Sequence, residues 1–152
     1  MNPQNFLKVN KLIFFALLAG MVLFLGVVVF LTETIVIFIP EDIIYLLISV
    51  GALGAAIFAG KFLFEKLIAP AKESNSLTQK TTMFNTSSMV RYALCEGAVL
   101  LNIVFFLTQK NALFGIVALF GILFFITLKP TNEKIISALD LTYEDQNSLG
   151  MK

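Results

Sequence analysis

The sequence has no histidine and no tryptophan, and its single cysteine is Cys95. Histidine is the commonest metal ligand and the usual general base near neutral pH, so its absence argues against metal, haem and histidine-based catalytic sites. One cysteine forms neither an internal disulfide nor a thiolate metal cluster. The sequence also has no nucleophile–base pair and no phosphate-binding loop. We therefore expect a protein that is not an enzyme and that binds neither a metal nor a cofactor.

Charged residues are also scarce. They make up 14% of the 152 residues, whereas a soluble domain carries about 25%. Hydrophobic residues make up 58%, including 16 phenylalanines, and the formal net charge is only +1. This balance gives no electrostatic case for nucleic acid as a partner. The deficit of charge predicts a surface that faces the lipid bilayer.

Four stretches approach the roughly 20 apolar residues that a membrane-spanning helix needs. They are residues 12–31, 43–64, 89–107 and 112–128. Residues 69–88 are rich in Ser, Thr, Asn, Gln and Lys, which predicts a polar cytoplasmic loop. Only four residues separate the third and fourth stretches, which predicts an antiparallel hairpin. The expected fold is an all-α, four-helix transmembrane bundle in which residues 1–152 form one domain.

The tail, residues 129–152, begins with a helix signal. Thr131 is a suitable N-cap, and Ile135, Ile136 and Leu139 share one helical face. We expect a short amphipathic helix on the membrane surface within residues 131–141. The final ten residues are expected to be disordered.

The orientation follows from the Lys and Arg residues that flank the spans. Only Lys110 lies on one side of the predicted membrane. The other side holds Lys8, Lys11, Lys61, Lys66, Lys72, Lys80, Arg91, Lys129, Lys134 and Lys152. This bias predicts that both termini are cytoplasmic.

The first and third spans share a sequence pattern. Residues 15–23 (FALLAGMVL) align with residues 92–100 (YALCEGAVL), and Ala19 in the first corresponds to Glu96 in the second. A duplicated hairpin would give two parallel repeats. Chance similarity between apolar helices is the other interpretation, and both stay open.

Glu96 is the strongest candidate for a functional residue. A carboxylate inside a span costs about 2.5–3.5 kcal/mol on insertion scales, so it is expected to face a partner or a wet cavity. Glu96, with Lys61 and Asn102, forms a candidate ion or proton site. The alternatives are a structural ion pair between Glu96 and Lys61, a Glu96 side chain that reaches the inner interface, and an Asn102 that only joins helices.

The second span is unusually rich in small residues. They form the rows Ala52/Ala56/Gly60 and Gly51/Ala55/Ala59, and Gly54 lies between them. Rows of this kind allow helix backbones to approach closely in lipid. The neighbouring helix belongs either to this chain or to another copy.

Two resemblances add expectations. Residues 91–97 (RYALCEG) and 129–134 (KPTNEK) resemble a family of small four-helix proteins of the bacterial inner (plasma) membrane. This resemblance implies that location and fold but no activity. Separately, the second and third spans are similar to the hairpin of rotor-ring proteolipids (subunit c) of rotary ATP synthases. That similarity implies an ion-binding role for Glu96.

Three functions remain open at this stage. The first is a structural or interaction subunit of a membrane assembly, as a homo-oligomer or within a larger complex. The second is a proton- or ion-handling, proteolipid-like protein that uses Glu96. The third is a small transporter-like carrier built from two parallel hairpins.

Overall fold

The computed structural model describes residues 6–32, 36–38, 43–74 and 76–151. Regular structure in this part of the chain is helical, apart from one isolated bridge between Val36 and Asn111. The helices are α1 (Phe6–Leu31), α2 (Ile43–Glu73), α3 (Leu77–Gln109), α4 (Ala112–Thr127), α5 (Asn132–Leu139) and α6 (Tyr143–Ser148).

Three helices, α1, α2 and α3, are each long and apolar enough to cross a membrane. Helices α4 and α5 meet the same criteria only as a pair, and they are bent by 72° at the break between them. The described chain therefore has three candidate spans, or four if that pair is one span. The prediction of an all-α chain with helices of membrane-spanning length is confirmed at this level.

The polar loop predicted for residues 69–88 is wrong. Helix α2 continues to Glu73 and α3 begins at Leu77, so only a short connection lies between them. The hydroxyl groups of Thr82 and Ser87 donate hydrogen bonds to backbone carbonyls four residues earlier in α3. This bonding satisfies polar side chains inside a helix. The weak helix propensity of Ser and Thr was overridden by tertiary packing.

The α2–α3 hairpin is longer than a bilayer is thick. The two helices have 31 and 33 residues, which corresponds to about 46–50 Å at 1.5 Å per residue. The hydrocarbon core of a bilayer is about 30 Å thick. In a bilayer, the polar end of the hairpin, around the α2–α3 connection, would therefore extend beyond the apolar layer.

Aromatic contacts give the directions of the helices. Phe6 of α1 packs against Phe84 of α3, and Phe14 of α1 packs against Tyr92 of α3, so α1 and α3 run parallel. Helices α2 and α4 run antiparallel to α3, to which each is joined by a short connection. The first hydrophobic cluster lies between α1, α3 and α4, and is formed by Phe14, Met21, Val28, Tyr92, Cys95, Val99, Ile103, Phe106, Phe114, Ala118, Ile122, Phe125 and Leu128.

A second hydrophobic cluster lies at the polar end of the α2–α3 hairpin. It is formed by Phe6, Ile68, Ala71, Phe84, Ile135, Leu139, Leu141, Leu149 and Met151. Because Phe6 and Met151 both belong to it, the two ends of the described chain lie on the same side of the molecule. Helix α5 forms where it was predicted, with the Thr131 hydroxyl accepting from the Lys134 amide at 3.4 Å. Its apolar face packs against α2 and α3 and not against an open membrane surface.

The expectation of disorder in the final ten residues is wrong for residues 143–151; residue 152 lies outside the described chain. Helix α6 begins with a capping box in which Thr142 and Asp145 exchange side chain–backbone hydrogen bonds. Gly150 has a φ of 66°, a left-handed turn that glycine adopts without strain. The turn places Met151 in the second cluster. Capping and burial together order a segment that looks polar in sequence.

An ion pair holds α6 against α3. Lys80 Nζ lies 3.5 Å from Asp145 Oδ2, and the Lys80 side chain is largely buried. Burial alone raises the pKa of Asp145. Hydrogen bonds from Thr142 and the positive charge of Lys80 outweigh that effect, so the pKa lies below its ordinary value. The Asp145 carboxylate therefore stays charged, and supports docking of α6, at neutral pH.

At the opposite end of the molecule, the segment after α1 is hydrogen-bonded to the connection between α3 and α4. The Ala112 amide donates to the Val36 carbonyl at 2.9 Å, and Asn111 Nδ2 donates to the Phe38 carbonyl at 2.8 Å. Asn111 Oδ1 also accepts from the Leu113 amide, which caps α4. Lys110, beside this contact, thus lies at the end away from the second cluster.

Candidate functional site

Glu96 and Lys61 are not brought together. Lys61 is exposed on α2, and its Nζ lies 4.0 Å from Glu65 Oε1, one helical turn further along. Glu96 is partly buried on α3, and among the described residues it has no ion pair or hydrogen bond. Of the alternatives for Glu96, the ion pair with Lys61 is therefore not formed among the described residues.

Asn102 joins α3 to α2. Its side chain is fully buried, and it accepts a short hydrogen bond from the Ser49 hydroxyl. Its amide group donates to the Ser49 carbonyl at 3.3 Å and to the Ala98 carbonyl at 2.8 Å. Both polar ends of Asn102 are therefore bonded within the protein, which is the usual arrangement for asparagine between membrane helices. The three candidates Glu96, Lys61 and Asn102 do not form one site.

The two small-residue rows of α2 have different surroundings. Ala56 and Gly60 are buried in the interface with α3, and a Cβ atom on Gly60 would lie 3.3 Å from Cγ of Arg91. In the other row Gly51, Ala55 and Ala59 are all exposed. One row therefore packs inside the chain and the other is left on the outer surface. Gly54, between them, also has open space around it.

An apolar groove runs along the outer surface where α2 and α3 meet. It has a volume of about 390 Å³. We call it the α2–α3 groove, and it is lined by Ala52, Ala55, Ala56, Ala59, Ala93, Leu94, Gly97, Ala98 and Leu101. The lining spans about two helical turns on each helix. Its floor is formed by small side chains and contains no charged group.

A second concave site, the basic cavity, lies between α3, the end of α4 and α5. It has a volume of about 490 Å³. The lining contains the basic side chains Arg91, Lys129 and Lys134 together with one acidic side chain, Glu133. The remaining residues are Phe64, Phe84, Ser88, Tyr92, Thr127, Leu128, Pro130, Ser137 and Ala138.

Arg91 is the central cation of the basic cavity. Its guanidinium lies over the Phe64 ring, 5.5 Å from the centroid, and its Nε is buried with no hydrogen-bond partner within the described residues. Buried donors are normally bonded, so such an atom calls for an explanation. Lys134 Nζ donates to the carbonyls of Thr127 and Lys129 at the end of α4.

In the sequence, the basic residues of this cavity stand out only as signals of membrane orientation. Their grouping depends on the bend between α4 and α5, which turns Lys134 back toward α3, and no local pattern reports that bend. The separation of Lys129 and Lys134 by five residues beside a proline was the one usable signal.

No family model, curated protein or solved structure matches the chain. The fold itself defines an all-helical protein whose three or four apolar helices are of membrane-spanning length. This fold carries the α2–α3 groove, the basic cavity and Glu96, a carboxylate that has no ion pair among the described residues.

Proposed function

We propose that this chain is a four-span bundle of the bacterial inner membrane that acts as a structural or interaction subunit of a membrane assembly. The observation that carries the proposal is the α2–α3 groove, which is open, apolar and lined mainly by small residues on the outer surface.

The fourth span in this proposal is α4. Its 16 residues are all uncharged, and they cover about 24 Å at 1.5 Å per residue, somewhat less than a bilayer core. Lys134 bonds the carbonyls at its end, which allows the helix to stop abruptly at the interface. The basic residues around the second cluster, against Lys110 alone at the other end, support cytoplasmic termini. The parallel course of α1 and α3 meets the requirement of a duplicated hairpin, which any sequential four-span chain also meets; the sequence similarity of the first and third spans is what favours duplication.

The occupant that best fits the groove is one apolar transmembrane helix of another polypeptide. In lipid there is little hydrophobic force between helices, so association depends on close packing at small residues. Ala55 and Ala59 of the exposed row line the groove and offer such a surface, and a groove that spans about two turns of each helix matches a helix better than a loop. The lining has no charge that would require a polar partner.

We expect Ala55→Leu to break the assembly. The larger side chain fills the groove, so association weakens about tenfold or more through lost contact and overpacking. The measurement is native mass in mild detergent, where the unmodified chain is expected in a stoichiometric complex and the variant as a free chain. Ala19→Leu, at an exposed alanine of α1 outside the groove, is the matched control and should leave the complex intact. A strictly monomeric wild-type protein, or equal behaviour of the two variants, rejects the proposal.

A second candidate function is proton or ion handling through Glu96. The specific observation that favours it is that this carboxylate of a candidate span has no cation partner in the described chain, while Lys61 is engaged by Glu65. Ionisable groups in membrane helices without a structural partner are frequent markers of ion pathways.

Glu96→Gln separates the two candidates. If Glu96 handles ions, the substitution should reduce proton or cation flux into proteoliposomes by about tenfold or more, because the charged ligand is lost. Glu65→Gln, at the exposed pair with Lys61, is the control and should not change flux. Unchanged flux, growth and complex assembly in Glu96→Gln would eliminate the second candidate and leave the first untouched.

A further inference from the structure

We propose that the basic cavity binds the phosphate group of an anionic phospholipid from the leaflet that borders the second cluster. This site is separate from the α2–α3 groove, and it does not depend on the partner proposed for that groove.

The size and lining of the cavity fit a lipid headgroup. Its volume of about 490 Å³ lies in the usual range of small-molecule sites, about 300–1,000 Å³. The walls combine basic groups and hydroxyls with apolar surface from Phe64, Leu128 and Pro130. A headgroup has this same mixture, because a charged phosphate is followed by glycerol and acyl carbons.

The electrostatics favour an anion. Three basic residues and one acidic residue line the cavity, which leaves an excess of two positive charges among its lining residues. The Lys129 ammonium lies over the Phe15 ring at the edge of this set, so Arg91 and Lys134 are the cations nearest a ligand.

The Arg91 guanidinium lies over the Phe64 ring of the lining, and its terminal fork matches the oxygens of a phosphate. Its Nε is buried without a partner in the described chain, so the protein itself leaves this guanidinium incompletely bonded. The hydroxyl of Ser137 adds a short-range donor to the same lining, whereas the Thr127 hydroxyl already donates to the Phe124 carbonyl.

The position of the cavity favours a lipid over a soluble anion. Tyr92 and Leu128 of its lining belong to the first hydrophobic cluster, and Phe84 belongs to the second. The cavity therefore lies at the boundary between the apolar layer and the extramembrane end. It also begins where α4 ends, which is the depth at which headgroup phosphates lie. Basic pockets between helices at this depth are a common mode of anionic-lipid recognition.

Lys134 and Glu133 limit how strongly the cavity can bind an anion. Two donors of Lys134 are used on the carbonyls of Thr127 and Lys129, which leaves one of its three for a ligand. Glu133 opposes an anion, so it should weaken binding. Removing its charge is therefore expected to strengthen binding, a result that misfolding cannot produce.

The test uses the full-length protein in mild detergent and native mass measurement with matched lipids. Phosphatidylglycerol and phosphatidylcholine with identical acyl chains are titrated separately. We expect preferential retention of phosphatidylglycerol, reduced about tenfold or more by Arg91→Gln because a charge-assisted contact is lost. Glu133→Gln should raise retention several-fold. Lys66→Gln is the control for nonspecific attraction between the protein and anionic lipid. Lys66 lies in the C-terminal half of α2 but outside the cavity, so its substitution should change lipid retention little.

A separate arm distinguishes the source of the phosphate. Inorganic phosphate alone is added to delipidated protein, and thermal protection is compared with that from phosphatidylglycerol. Protection by the lipid but not by inorganic phosphate supports the proposal. Equal protection by inorganic phosphate, equal retention of the two lipids, or an effect of Arg91→Gln no larger than that of Lys66→Gln overturns it.

Discussion

Leu139→Ala should release α5 and α6 from the end of the α2–α3 hairpin. Leu139 is fully buried in the second cluster, where it is accompanied by Ile68, Phe84 and Ile135. Truncation of a buried leucine costs about 2–5 kcal/mol, through lost transfer energy and the cavity left behind. Because this cluster is small, we expect most of the cost to appear as local opening of the tail and little as unfolding of the spans.

Hydrogen exchange and trypsin cleavage at Lys134 measure this opening. Exchange of the α5 amides should accelerate by about 30-fold or more, which is the factor that corresponds to 2 kcal/mol. Leu12→Ala is the matched control, since Leu12 is 70% exposed on α1, and it should leave tail exchange unchanged. A tail that is cleaved uniformly in the wild-type protein would contradict the docked arrangement.

Gly121→Ala should lower the stability of the membrane bundle itself. Gly121 is buried on α4, and a Cβ atom there would lie 2.5 Å from Cγ2 of Val99 and 3.1 Å from Cδ1 of Leu53. Val99 cannot move far, because it is fully buried in the first cluster. Overpacking of this kind costs about 1–3 kcal/mol, so we expect a clear fall in Tm. Gly121→Leu should be still more destabilising.

Gly20→Ala is the matched control for Gly121→Ala. Gly20 lies on an exposed face of α1, and no atom lies within 4 Å of the position that its Cβ would take. The alanine should be neutral or slightly stabilising, because glycine is the weaker helix former by about 1 kcal/mol. Thermal unfolding in mild detergent measures both variants. Equal Tm values for the two would show that α4 does not pack against Val99 and Leu53 as described.

The basic cavity and the α2–α3 groove are two separate sites that suit different ligands. The groove is apolar and open along the helix axes, whereas the cavity is charged and lies at one end. The proposed helix partner and the proposed lipid therefore do not compete for the same residues. The Ala55→Leu and Arg91→Gln experiments should each leave the other readout unchanged.

The sequence alone determined that the protein has apolar helices of about membrane-spanning length. Length and transfer energy of apolar runs are local properties, so helices over residues 12–31, 43–64 and 112–128 were predicted without knowledge of their neighbours. The Thr131 cap was also readable, since capping depends on residues only three apart. The same holds for the small-residue rows of α2.

The tertiary structure alone decided which surfaces these elements present. The polar stretch 69–88 and the tail are helical because they pack against each other in the second cluster, a long-range contact that local propensity does not report. The partner of Asn102 is Ser49 and that of Lys61 is Glu65, since helix rotation determines which side chains meet. For the same reason only the folded chain distinguishes the buried small-residue row from the exposed one, and only the bend after α4 brings Lys134 beside Arg91.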